Sequence, residues 1–412
     1  MRKSADAVTP MQPNSEITLL YPREVDWSAF EAPRPDVPFS DDAVEYLDAL
    51  SSLIMKNPSS RQYPDVITFA FFCRRASLVK MKSDIATDKL RLGRGLVFHV
   101  APSNVPVNFA YSLVSGLLAG NMNVVRVSSK SFAQVDIIIK AMLKLLDERR
   151  HSDVASRFAI VRYERSSGWN DYFSSIANVR VVWGGDKTVE ALRQSPLPPR
   201  SYEVCFADRY SIASFGAKKV LNASDAEIEH LAAGFYNDTY LFDQNACSAP
   251  HLIVWLKDTP QFGDAENKFW KAVHSIAKKK YDFQPVMAVD KLTTFFRQSA
   301  DMKCRKEPMP DNVLFRLHLD ELPINIDEYR CPGGYFYEYE VDNLNEIAHI
   351  ISLKYQTMAY YGISHSELED FVFGNRLTGL DRVVPVGETS SFSFDWDGYD
   401  LIETLSRQPV IV

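Results

Sequence analysis

From about residue 94 the chain alternates short apolar runs with longer amphipathic ones, and this alternation constrains its fold more than any other feature. LVFHVAP (96–102) is short and apolar throughout, which reads as a buried strand. VPVNFAYSLVSGLLAG (105–120) has helical spacing and stops at a glycine. NVVRVSS (123–129) is a second strand, and FAQVDIIIKAMLKLLDERR (132–150) is a long amphipathic helix with basic residues in its last turn. RFAIVRY (157–163) and NVRVVWGG (178–185) add two strands, and DKTVEALRQ (186–194) a helix. Strands that alternate with helices pair in parallel through right-handed crossovers, so the expected fold is α/β with a doubly wound sheet.

After LPP (197–199) the register changes. SDAEIEHLAAGFYNDTYLFD (224–243) opens as a helix, with Ser224 as N-cap and Glu227 three residues on. It leads through QNACSAP to the strand HLIVWL, and YFYEYEV (335–341), LNEIAHIIS (344–352) and TMAYYG (357–362) continue the pattern of helices and strands. The expected organisation is a loosely ordered lead-in over 1–40, rich in Pro and polar residues; a first domain over 41–206; a second α/β domain over 207–381; and a tail over 382–412 that packs back on the first.

Composition narrows the function classes. Of 412 residues, 46% are hydrophobic and 24% charged, enough for a sizeable core. A net charge of -7 gives no electrostatic footprint for nucleic acid. The start, MRKSADAVTPMQPNSE, lacks the apolar stretch that follows the basic start of a signal peptide. The most apolar runs, 66–73 and 252–256, are too short to cross a bilayer. A soluble, cytoplasmic protein without a membrane span is the expectation. The five cysteines (Cys73, Cys205, Cys247, Cys304 and Cys331) are scattered and form no CxxC pair, so neither a zinc site nor a disulfide framework is indicated. HExxH, HxxxH, GxSxG and the phosphate-loop pattern are all absent, and no metal is expected.

Four segments can carry chemistry. APSNVPVNF (101–109) lies where a strand hands over to a helix, the edge at which open α/β sheets bind ligands. Asn104 offers an amide donor beside a helix N-terminus that favours an anion, although Asn is also common as a plain capping residue. GNMNVVRVSSK (120–130) ends a strand in Ser128, Ser129 and Lys130 with Arg126 close by, suited to a ribose carrying a 2′-phosphate or merely to a solvated basic edge. In WGGDKTVEAL (183–192), Gly184 and Gly185 permit close approach of a pyrophosphate, and such pairs also mark ordinary turns. DQNACSAP (243–250) places Cys247 among small and polar residues in an accessible loop, unlike Cys73 and Cys205, which sit in apolar runs and read as core. His99 and His251 flank these segments and read as packed histidines rather than as bases for Cys247.

In order, these segments resemble the aldehyde dehydrogenase superfamily: APSNVP its PWNFP block, GNMNVVRVSSK its GNTVVLKPSE, WGG its FTGS and QNACSA its GQxCxA. Within it, the chain is most similar to the fatty acyl-CoA reductase (LuxC) family of bioluminescent bacteria. The resemblance runs from about residue 90 to the C-terminus and is carried by VFHVAPSNVPVNFAYSLVSGLLAGNMNVVRVSSK, NDTYLFDQNACSAP, RCPGGYFYEYEVDNL and RVVPVGETSSFSFDWDGYDLIETLSR.

The resemblance implies an aldehyde dehydrogenase-like fold, with a Rossmann-type NADP-binding domain followed by a catalytic domain, and it implies roles. Cys247 matches the catalytic thiol, whose thiolate would attack an acyl carbonyl to form a thioester. Asn104 matches the oxyanion-hole asparagine, acting with the Cys247 backbone N–H. Hydride from NADPH would then release an aldehyde. Pro102 belongs to the same cofactor-side block; Arg126 matches the lysine on the adenosine ribose; Ser129 replaces the glutamate of NAD-preferring relatives, which with Ser128 and Lys130 favours NADPH; Gly184 and Gly185 match the pyrophosphate turn. The position counted back from Cys247 for the water-activating glutamate of oxidising relatives is Ala213; with an insertion in this region, Glu203 or Cys205 fits the position about equally well. RCPGGYFYEY stands where relatives carry a block that contacts the nicotinamide ribose. The substrate implied is an acyl-CoA or other activated acyl group, the partner an acyl-protein synthetase, and the assembly a homo-oligomer. Two other readings stay open: a dehydrogenase running toward acid or acyl-CoA, and a non-catalytic subunit binding an acyl-activating partner.

Overall fold

A computed structural model describes residues 13, 15–85, 90–149 and 151–411. The chain divides into two compact units, Met1–Ala207 with Tyr399–Val412, and Asp208–Gly398.

The first unit is built on six strands: β1 (Thr18–Tyr21), β2 (Leu96–Val100), β3 (Met122–Arg126), β4 (Phe158–Arg162), β5 (Val179–Trp183) and β6 (Tyr202–Phe206). Their order is β1-β4-β3-β2-β5-β6, parallel except for β1, which runs antiparallel to β4. β2, β3 and β5 are buried along their whole length, which explains why they read as uninterrupted apolar runs rather than as alternating ones. The helices include α1 (Asp41–Lys56), α2 (Asn108–Leu118), α3 (Ala133–Glu148), α4 (Trp169–Ile176) and α5 (Asp186–Arg193). Phe98 points to the face covered by Phe173 of α4 and Leu192 of α5. Its neighbour His99 points the other way, toward Ser112 of α2. There Gly116 approaches so closely that a Cβ would lie 2.0 Å from Asn123 Oδ1, so only glycine fits.

Chain order runs outward from β2 through β3 to β4 and then returns to β5 on the other side of β2. This reversal is the switch point at which doubly wound sheets open a crevice beyond their carboxyl ends. The loops that leave β2 and β5 there carry Asn104 and the pair Gly184–Gly185.

Residues 15–40 are not the loose lead-in that their composition suggests. β1 joins the sheet, Tyr21 stacks on Phe158 with ring centroids 4.5 Å apart, and Trp27 and Phe30 are buried. A few apolar anchors suffice to order a polar, proline-rich stretch. At the other end, Leu401–Leu405 forms a short helix whose Leu405 carbonyl accepts from the Asn121 amide at 2.9 Å, and Ser406 pairs with Gly93.

The second unit carries β7 (Tyr210–Gly216), β8 (Pro250–Leu256), β9 (Cys304–Lys306), β10 (Phe315–Leu319), β11 (Tyr335–Val341), β12 (Tyr355–Tyr361) and β13 (Arg382–Pro385). Their order is β9-β10-β11-β8-β7-β12-β13, parallel except for β9. Residues 382–398, placed by sequence in a tail returning to the first domain, stay with this unit: β13 extends its sheet beside β12, and the return begins at Tyr399. Leu252 and Val254 of β8 face one core and Ile253 and Trp255 the other, so this sheet too is buried on both faces. Helix α6 (Asp225–Thr239) starts as expected with a reciprocal capping box, Ser224 Oγ accepting from the Glu227 N–H and the Glu227 carboxylate from the Ser224 N–H. It packs with α7 (Phe262–Lys280) through Phe235, Phe269 and Trp270.

Candidate active site

Cys247 lies in the loop between α6 and β8, half-buried. The loop is formed by two successive left-handed residues, Asp243 (φ 52°) and Gln244 (φ 56°). Gln244 is buried and spends all of its amide on backbone: its oxygen accepts from the N–H groups of Gly334 and Tyr335 (2.6 and 3.0 Å), and its nitrogen donates to the carbonyls of Pro250 and Tyr335 (3.1 and 3.2 Å). The partner segment is CPGG, in which Gly334 (φ +86°) would place a Cβ 2.3 Å from the Tyr240 hydroxyl oxygen. Within this unit RCPGGYFYEY therefore clamps the cysteine loop, a role the sequence comparison with a ribose-contacting block did not suggest. Ser211 of β7 adds a second brace by donating to the Cys247 carbonyl at 2.7 Å while accepting from the Thr357 N–H at 3.2 Å.

Four further side chains of this unit lie close enough to act on the charge of this thiol. Arg209 precedes β7, Gln356 is the second residue of β12, Arg382 opens β13 and Asp397 follows it. Burial pushes the Cys247 thiol pKa up and the Asp397 carboxylate adds to that; the Gln356 amide and the Arg209 guanidinium pull it back. Arg382 also faces the thiol, stacked over Trp396 at 4.2 Å and donating to the Thr389 and Ser391 carbonyls. Arg209 meets Asp397 at 2.9 Å, also pairs with Asp381, and donates to the Tyr355 carbonyl at 2.7 Å. The Asp397 side chain is 1% exposed. Its partner is Arg209, whereas the amide of Gln356, itself 0% exposed, completes no hydrogen bond of normal geometry. A buried amide left without a partner costs about 1–3 kcal/mol.

His99 and His251 are both buried, packed side chains. His99 is held by Ser112 at 2.7 Å on Nδ1 and by the Asn123 carbonyl oxygen at 3.1 Å on Nε2; since Asn123 can only accept there, Nε2 carries the proton. Burial lowers its pKa to about 4. His251 stacks on Tyr210, and burial with the nearby Arg330 lowers it to about 3. Glu203, considered above as an activating carboxylate, is occupied: on β6 of the first unit it spans Arg180 (2.6 Å) and Arg193 (2.8 Å), which outweigh burial and hold its carboxyl below the usual range. Ala213 sits fully buried in the middle of β7.

In the first unit, Pro102 and Asn104 lie on the loop leaving β2, with Asn104 exposed. Arg126 ends β3, stacks on Tyr163 at 5.0 Å and keeps its buried Nε without a hydrogen-bond partner. It lines a cleft of about 300 Å³ together with Arg165, Asn170, Thr188 and Gln194, residues the sequence did not single out. Ser128 accepts from the Lys130 backbone N–H at 3.2 Å, and Ser129 and Lys130 are exposed. Gly185 caps α5, with open space where a Cβ would stand. Among the described residues, no cluster of three or more His, Cys, Asp or Glu could hold a metal, and no helix is long and apolar enough to cross a membrane.

A switch-point crevice in one unit and a braced cysteine loop in the other define a protein of the aldehyde dehydrogenase type. Solved structures agree on the fold: aldehyde dehydrogenase 21 from Physcomitrella patens superposes with a TM-score of 0.62 at 10% identity, over 90% of this chain and 85% of that one. Lactaldehyde dehydrogenase from Escherichia coli gives 0.62 at 12% identity, over 93% and 88%. The model of the acyl-CoA reductase (LuxC) family matches residues 37–408, and the chain belongs to that family. It is 21% identical over 311 residues to the long-chain acyl-protein thioester reductase of Vibrio harveyi, covering 73% of this chain and 60% of the relative. It is 22% identical over 170 residues to that of Aliivibrio fischeri, covering 40% and 33%. The matches thus span less than two thirds of the length of these relatives.

Proposed function

We propose that the protein reduces a fatty acyl thioester to the aldehyde with NADPH, through a thioester on Cys247. The observation that carries this reading is the bracing of the Cys247 loop by Gln244 and Ser211, which presents one thiol at the meeting point of Arg209, Gln356, Arg382 and Asp397. The Cys247 thiolate attacks the acyl carbonyl, the sulfur–carbon bond forms, and the donor thiol leaves with a proton. Asn104 and the Cys247 backbone N–H serve as oxyanion donors, on their match to the family blocks. A nicotinamide cofactor, when bound, would supply hydride to the carbonyl carbon of the Cys247 thioester; the carbon–sulfur bond would then break, releasing the aldehyde and returning the Cys247 thiolate.

The cofactor assignment is supported by the cleft beside β3. Its two arginines, one with an unsatisfied buried Nε, suit a phosphorylated ribose, and the one carboxylate in its lining, Asp171, is engaged by the Ser195 hydroxyl. Ser129 and Lys130, without a carboxylate among them, favour the 2′-phosphate form. Gly184 and Gly185 leave room for the pyrophosphate. The family description names acyl-CoA and the relatives are named for acyl-protein thioesters; the two donors share one reacting group. An acyl-protein synthetase is the partner that the second donor implies. Oxidation toward an acid needs a carboxylate free to activate water, and this unit offers an alanine at the counted position and an ion-paired, enclosed Asp397.

The test is NADPH consumption with acyl-CoAs of increasing length, with the aldehyde trapped, for wild type and Cys247→Ala. Turnover lost in the variant supports the reductase. Full aldehyde formation by Cys247→Ala overturns it, and the absence of turnover with every CoA ester moves the substrate to a protein-bound acyl group, tested next with the acylated partner.

A further inference from the structure

We propose that Gln356 is the hydrogen-bond donor for the Cys247 sulfur in its thiolate form, with Asp397 and Arg209 holding the amide in the orientation that donates. This rests on the reading of Cys247 as nucleophile and adds to it a residue that no family block singled out.

The geometry begins with the strand that carries Gln356. On one side, Arg209 and Leu380 both donate to the Tyr355 carbonyl, at 2.7 and 2.9 Å. On the other, the Thr357 N–H donates to Ser211 Oγ, the same hydroxyl that donates to the Cys247 carbonyl. The backbone flanking Gln356 is thus tied on one side to the arginine that pairs with Asp397 and on the other to the residue that braces the cysteine. The amide between them is buried with both its oxygen and its nitrogen unpartnered, and it acts on the charge of both the thiol and the carboxylate.

An amide nitrogen has two N–H groups. One aimed at the Asp397 carboxylate leaves the second for sulfur. A neutral thiol is a weak acceptor and a thiolate a strong one, so the second bond tightens only when the charge appears. The charged groups facing the sulfur are Asp397, Arg209 and Arg382, with Gln356 the uncharged donor among them. Arg209 neutralises Asp397, so the carboxylate can orient the amide without imposing its full charge on the sulfur.

The experiment is the rate of Cys247 alkylation by iodoacetamide against pH in the full-length protein, with Cys247→Ala defining background. Gln356→Met keeps the volume and removes the donor; its alkylation midpoint should rise by about one pH unit, roughly tenfold less thiolate at neutral pH. Gln356→Asn withdraws the amide by one methylene and should move the midpoint the same way if the methionine variant fails to fold. Asp397→Asn removes a negative charge, and should lower the midpoint more in the Gln356→Met background than in wild type, because only wild type has an amide to disorient. Folded Gln356 variants with the wild-type midpoint would overturn the assignment while leaving the nucleophile in place. Failure of Cys247 to label at all in wild type would instead remove the nucleophile, and this inference with it.

Discussion

The Ser211 hydroxyl donates to the backbone carbonyl of Cys247 at 2.7 Å, tying the nucleophile loop to the start of the neighbouring strand. Ser211→Ala removes that bond and leaves the Thr357 N–H without its acceptor. Stability should fall by about 1–3 kcal/mol, since two buried hydrogen bonds are lost and the Thr357 N–H is stranded. Aldehyde formation should fall further, on the order of tenfold, because the reacting sulfur is displaced. Denaturant melts and steady-state rates separate the two effects, and a rate that merely follows the folded fraction would count against the brace.

Gln244 makes four hydrogen bonds from one buried amide. Gln244→Ala should cost about 3 kcal/mol in urea unfolding, since it strands the N–H groups of Gly334 and Tyr335. Gln244→Glu replaces the donor facing two carbonyls with an acceptor and should be worse than alanine.

His99 sets a pH dependence. Its folded pKa, about 4, lies below the unfolded value of 6.5, so the unfolded chain binds the extra proton in between. Stability from this residue is fully present above pH 6.5 and is lost as pH falls toward 4, by up to about 3 kcal/mol. Unfolding free energies measured from pH 7 to 4 should fall more steeply for wild type than for His99→Gln; parallel profiles would place the titration elsewhere.

Ser129→Glu restores the acidic residue of NAD-preferring relatives. With NADPH, KM should rise by about tenfold or more through like-charge repulsion, and with NADH it should fall or hold. An unchanged ratio of the two would remove the 2′-phosphate from this edge.

β2, β3 and β5 were legible because each is buried on both faces and reads as a continuous apolar run, and α6 because its capping box is local; β6, only partly buried, was not read as a strand. β7 was not: YSIASFG mixes serine and glycine into a fully buried strand. Cys247 stood out through its loop chemistry and its family wording. Arg209, Gln356, Arg382 and Asp397 did not, because β7, β12 and β13 are neighbours in the sheet and far apart in the chain. Parallel pairing gathers their amino ends at one place, and no spacing along the sequence records that. Glu203 shows the converse: its ion pairs with Arg180 and Arg193 are contacts that its place in the sequence does not record.

The helix Leu401–Leu405 closes the first unit: its Leu405 carbonyl takes the amide of Asn121, and the Thr404 and Ser406 groups receive Arg94 and Arg91 at 2.8 and 2.7 Å. A ribosome that has released everything up to Ala207 has therefore made a unit with its last pieces missing. The whole of the second unit must emerge before they arrive. During synthesis the first unit therefore cannot be completed before the second has emerged, and until residues 401–406 arrive the groups that bind them have no partner from this helix.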